Sequence, residues 1–92
     1  MDIEFDPAKR SWTIEGRGLD MADAVRIFNG PYVTAEDTRL RYGEQRNITV
    51  GYLDDRMVVL VWTQRDNSIR VISFRKANER EREKFAARLA RP

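Results

Sequence analysis

The run Met57-Val58-Val59-Leu60-Val61-Trp62 constrains the fold more than any other stretch of this chain. A strand sends successive side chains to opposite faces, so a strand that is apolar at every position must be covered on both sides. Six residues are far too few to cross a bilayer, which takes about 20 in a helix. The run therefore predicts the central strand of a sheet with packed elements above and below it.

Its neighbours read as partner strands. Arg46, Ile48, Val50 and Tyr52 alternate with Asn47, Thr49 and Gly51, which predicts a strand over 46–52 with one polar face. Leu53-Asp54-Asp55 reads as the hairpin loop to the central strand, and Gln64 to Asn67 as the next turn. Ile69 to Phe74 reads as a third strand.

Punctuation predicts the helices. Ile3-Glu4-Phe5 reads as a short first strand, after which Asp6 can cap a helix with Pro7 at its first position and Gly16 as its stop. Ser11 to Ile14 is weak helix material, so a strand position for Trp12 stays open. Asp20 can cap a second helix with Asp23 three residues on and Leu19 stapled onto Ala24. Met21, Val25 and Phe28, with Ala24 beside them, form its apolar face, and Asn29-Gly30-Pro31 ends it. Residues 32–43 are mixed and read as a long loop with room for a short strand. Asn78 and Glu81 make a capping pair for a last helix, and Phe85 and Leu89 can dock it on the sheet. Its charges fall at i, i+3 (Glu79 with Arg82, Arg80 with Glu83, Glu81 with Lys84) and read as solvated pairs. The predicted order is β-α-α-β-β-β-α, an α+β fold: a small antiparallel-rich sheet with two N-terminal helices and one C-terminal helix, in a single domain over 1–92.

Composition removes several function classes. The 92 residues include no cysteine and no histidine, so a disulfide framework, a thiolate site and imidazole chemistry are all excluded. The opening MDIEFDP lacks the cationic and apolar blocks of a signal peptide, and a cytoplasmic protein is expected. No glycine-rich phosphate cradle, paired-carboxylate motif or nucleophile signature stands out, and no cofactor or metal is expected.

Charge is lopsided. Residues 1–64 hold 8 Lys and Arg against 11 Asp and Glu, whereas residues 65–92 hold 9 against 4. The third strand ends in Arg75-Lys76, a cationic strand end on an otherwise acidic body, which is what a polyanion site needs. Strict alternation places Ser73 and Arg75 on one face, with Arg70 and Lys76 on the other. Arg65 falls in the turn at the opposite end of that hairpin from Arg75. A neighbouring strand can bring Arg46 or Glu44 near. Trp62, at the end of an apolar strand, reads first as a core residue, although tryptophan can also stack on a base.

Several segments, in order and spacing, resemble the BrnT toxin family. They are Glu4-Phe5-Asp6-Pro7-Ala8-Lys9, Ala24-Val25 through Phe28, Asp37 with Tyr42-Gly43-Glu44-Gln45-Arg46, Thr63-Gln64-Arg65, and Ile69 through Ala77. The resemblance runs from Glu4 to about Phe85. It implies a RelE-like fold and a bacterial ribonuclease toxin neutralised by a ribbon-helix-helix antitoxin of the BrnA type. Operator DNA would then be met only through the antitoxin complex, and no membrane is involved. The chain departs from the family pattern at Gly16-Arg17-Gly18, where Lys-His-Gly is usual, at Leu40, where histidine is frequent, and at Trp62 beside Thr63.

RNA can be cut without histidine or metal, because its own 2′-hydroxyl can attack the adjacent phosphate. The protein must then supply cations for the charge that develops on phosphorus, and guanidinium suits bidentate contact with phosphate. On that reading Arg65 and Arg75 stabilise the phosphate, Lys76 binds substrate or protonates the leaving group, and Glu44 transfers a proton. Arg46, Arg70, Arg17 and Trp62 are the RNA-binding candidates. The rival reading is a catalytically weak or inactive protein that holds the antitoxin and acts in autoregulation of the operon.

Overall fold

The computed structural model describes residues 2–39 and 43–90. Leu40 and Tyr42, named above for the resemblance, lie outside the described residues. A five-stranded mixed sheet carries helices on both faces. Its strands are β1 (Asp2–Glu4), β2 (Tyr32–Glu36), β3 (Asn47–Leu53), β4 (Arg56–Arg65) and β5 (Ser68–Lys76), in the spatial order β1-β5-β4-β3-β2. The apolar run is indeed central: Val58 and Leu60 are fully buried beneath the N-terminal helices, and Met57 and Val59 are buried on the opposite face.

Helix α1 (Pro7–Arg17) begins as expected, with Asp6 Oδ1 accepting from the Ala8 N–H at 2.8 Å and Pro7 at the first position. It runs past Gly16 and ends at Gly18, whose φ of +68° lets its N–H turn back to the Ile14 carbonyl. Trp12 thus lies on a helix and not on a strand.

The second helical segment (Met21–Asn29) is a 3₁₀ helix capped by Asp20, whose carboxylate accepts from the Ala22 N–H. Three residues per turn aligns positions i, i+3 and i+6. The buried stripe is therefore Met21, Ala24 and Ile27, whereas Val25 and Phe28 of the expected α-helical stripe are only half-buried. Leu19 joins Ala24 in the core beneath this segment.

The stretch read as a long loop with room for a short strand contributes the edge strand β2, paired with β3 through five register positions from Tyr32↔Gly51 to Glu36↔Asn47. Two tight turns join the remaining strands. At Asp54 and Asp55, φ values of +50° and +66° match the twist that a two-residue hairpin demands. Helix α2 (Glu79–Ala86) carries the full capping box of Asn78 and Glu81, and Leu89 just beyond it is buried against Val50, Met57 and Val59, with Phe85 alongside.

One irregularity changes the geometry of the site. Between Trp62↔Val71 and Val61↔Ser73 the ladder shifts register, leaving Ile72 as an extra residue on β5. A bulge of this kind inverts the alternation on one side of it. Arg70, opposite Thr63, therefore shares a face with Arg75, opposite Val59, and not with Lys76 as strict alternation implied.

Candidate functional site

The face of the sheet that carries α2 is only partly covered. Beside the helix lies an open groove of about 470 Å³ whose floor is Ile48, Val50, Val59, Val61 and Ile72. Arg46, Arg75, Arg80, Lys84 and Arg39 bring five cations to its walls, against the carboxylates of Asp37 and Glu81. Such a cationic, partly desolvated trough concentrates anions.

Arg75 is held firmly among these cations. Its guanidinium donates through NH1 at 2.7 Å and NH2 at 2.8 Å to the two oxygens of Glu81. Glu81 Oε1 also accepts the Asn78 N–H at 2.9 Å, so one carboxylate caps α2 and clamps the strand-end arginine. The Arg75 guanidinium, helped by that N–H, pulls the Glu81 carboxyl down to about 2, and the carboxylate in turn raises Arg75. NH1 also donates to the Lys76 carbonyl at 3.4 Å, which leaves Nε–H and the second N–H of NH2 for another acceptor. The expected pairing of Glu81 with Lys84 gives way to this cross-element bond. Arg82, expected to pair with Glu79, donates to the Ala77 carbonyl at 2.8 Å.

Arg46 links the groove to a second centre. Its Nε lies 3.9 Å from Glu44, whose other oxygen accepts from Arg65 NH1 at 2.8 Å. Arg65 and Glu44 thus meet each other at the far end of the β4–β5 hairpin from Arg75. Arg70 shares the Arg75 face but lies 3.6 Å from Glu4 of β1. Lys76 lines a separate pocket on the other flank of α2 with Tyr52, Arg56 and Arg82. Arg17 donates to the Phe74 carbonyl at 2.9 Å and stacks on Trp12, on the face that carries α1. Trp62 also belongs to that side: its indole N–H donates to Thr49 Oγ1 at 2.8 Å, and its ring meets Phe28 edge-on.

The structure therefore brings together Arg75 and Arg46 from the sequence-derived set, and adds Arg80, Lys84, Arg39, Asp37 and Glu81. The capping pair Asn78/Glu81 was legible and placed Glu81 at the start of a helix directly after Arg75. That proximity was the available signal for the clamp. Asp37 is anchored by a fork to Arg39, at 2.8 and 2.9 Å, although its place in the groove has no local sequence signature. Among the described residues, no three carboxylates gather closely enough to hold a metal ion. Among the same residues no helix is long and apolar enough to cross a membrane.

Comparison with known protein families gives a match over most of the chain. The family model described as "Ribonuclease toxin, BrnT, of type II toxin-antitoxin system" matches residues 5–81 of the 92. No curated protein matches the chain.

Proposed function

The chain belongs to the BrnT family of ribonuclease toxins from type II toxin-antitoxin systems, and from that premise we propose that it cleaves RNA in the groove beside α2. The observation that carries this reading is Arg75, held in a two-bond fork within a trough of five cations. In the proposed reaction the RNA 2′-oxygen forms a bond to the adjacent phosphorus and the bond from phosphorus to O5′ breaks. The products are a 2′,3′-cyclic phosphate and a 5′-hydroxyl. Arg75 stabilises the equatorial oxygens as charge builds, with Arg46 and Arg80 holding the flanking backbone.

Guanidinium does not release a proton, and Glu81 is held ionised. Lys84 is the groove residue whose ammonium can protonate the departing O5′, while the 2′-hydroxyl gives its proton to water. This assigns to Lys84 the role that sequence reasoning gave to Lys76, since Lys76 faces a different pocket. Arg65 and Glu44 stand outside the reacting centre in this account.

The family implies a protein antitoxin as partner. We place it over the groove, where an acidic segment of a ribbon-helix-helix antitoxin would meet the same cations and exclude RNA. The test is product chemistry. Incubation of the purified protein with a single-stranded RNA in chelator should give cyclic-phosphate ends, and a 2′-deoxy nucleotide at the cut position should abolish cleavage there. Cleavage that survives the 2′-deoxy substitution would exclude 2′-hydroxyl attack.

A further inference from the structure

The pocket at the far end of the β4–β5 hairpin has a chemistry distinct from the cationic groove. Its volume is about 330 Å³, and it is lined by Glu44, Gln45, Asn47, Gln64, Arg65 and Trp62. The amide of Gln64 is fixed by its partners. Its nitrogen lies 3.1 Å from the carbonyl oxygens of both Asp66 and Ser68. Two carbonyls demand two donors, so that atom is the nitrogen, and Oε1 is left as an acceptor. Glu44 spends Oε2 on Arg65 at 2.8 Å, whereas its Oε1 lies 3.9 Å from Arg46, beyond hydrogen-bonding reach. The pocket thus pairs carboxylate and amide acceptors with a guanidinium that retains further donors.

Resting on the ribonuclease reading, we propose that this pocket takes a guanine base of the bound RNA and sets sequence preference. Guanine is the base that presents two adjacent N–H donors, N1–H and the 2-amino group, and these suit the Glu44 carboxylate. Its O6 and N7 acceptors are the usual partners of arginine, here Arg65. Adenine would set its N1 lone pair against the Glu44 oxygen, and the pyrimidines offer one donor beside an acceptor. The half-buried Trp62 ring gives the pocket an apolar wall. Arg46, which lines the groove and approaches Glu44, connects the two sites. Arg65 lies six residue steps along β4 from Val59, the partner of Arg75. At ~3.3 Å per residue that is about 20 Å, so the base that is read lies some nucleotides away from the phosphate that is cut.

The test uses non-cleavable 2′-O-methyl oligonucleotides, so that binding is read apart from catalysis. Fluorescence anisotropy compares an all-adenine oligomer, the same oligomer with one guanine, and one with inosine in place of that guanine. The guanine oligomer should bind at least ~5-fold tighter than the all-adenine one. Inosine, which lacks the 2-amino group, should lose most of that gain. Glu44→Gln should reduce the guanine oligomer to the adenine level, and Gln64→Ala, a second variant near the end of β4, should narrow the gap. Equal binding of all three oligomers by the wild-type protein would overturn the guanine assignment while leaving the groove reading intact. No binding of any of them would sink the groove reading itself.

Discussion

Replacing Glu81 by glutamine should loosen both ends of the Arg75 clamp, and the size of the effect can be worked from the contacts. The carboxylate accepts from Arg75 at 2.7 and 2.8 Å and from the Asn78 N–H at 2.9 Å. Its pKa falls from an ordinary 4.5 to about 2. At about 1.4 kcal/mol per pH unit, that corresponds to an upper bound of about 3 kcal/mol favouring the ionised form in the folded state. The Arg75 side chain is 37% exposed, so solvent screens the pair. We expect about 1–1.5 kcal/mol to remain at neutral pH. In a chain of this size that is a fall in Tm of roughly 5–10 °C.

The sign of the pH dependence follows from the depressed pKa. This contribution is complete above 4.5 and is lost as pH falls toward about 2. Urea titrations of wild type and Glu81→Gln at a series of pH values should therefore show a gap that is widest near neutrality and closes on acidification. A gap of constant size from neutrality down to pH 3 would refute the reasoning, because the loss would then come from packing and not from the ionised clamp.

Three other substitutions test the scaffold by chemical or thermal melts. Gly18→Ala should cost about 1 kcal/mol, because an alanine must adopt the left-handed φ of +68° that ends α1, with no atom closer than 4.0 Å to clash with the new methyl. Thr49→Val removes the fully buried hydroxyl that meets Thr34 and accepts from Trp62, each at 2.8 Å, and should cost about 1–3 kcal/mol by stranding the indole N–H. Leu60→Ala, at the centre of the core, should cost about 2–5 kcal/mol.

Local chemistry was the legible part of this chain. Asp6-Pro7, Asp20 and Asn78/Glu81 marked helix starts because a cap is decided within three or four residues. The six-residue apolar run marked the central strand because two-sided burial leaves no other composition. What escaped was whatever depends on a partner distant in sequence. Strand β2 is mostly exposed and carries little apolar pattern, so only its pairing with β3 identifies it. The second helical segment carried its phase in Met21, Ala24 and Ile27, a spacing that fits 3₁₀ geometry better than the α-helical stripe. The bulge at Ile72 left no mark in the sequence, yet it moved Arg70 to the Arg75 face. The charges of α2 looked like intrahelical pairs, but the helix docks so that Arg80 and Lys84 line a groove and Glu81 reaches the sheet. The pairing of Glu44 with Arg65, at the hairpin end that the sequence already set apart from Arg75, also needed the fold to be seen.

Arg75 is proposed to stabilise the transition state of RNA cleavage. Single-turnover cleavage of one RNA by wild type, Arg75→Lys and Arg75→Ala, each checked for folding by its melt, addresses it directly. Arg75→Ala should lower the rate by about 10²–10³, the loss expected for one well-placed donor, and Arg75→Lys should recover only part of it. A folded Arg75→Ala protein that cleaves at the wild-type rate would contradict the account.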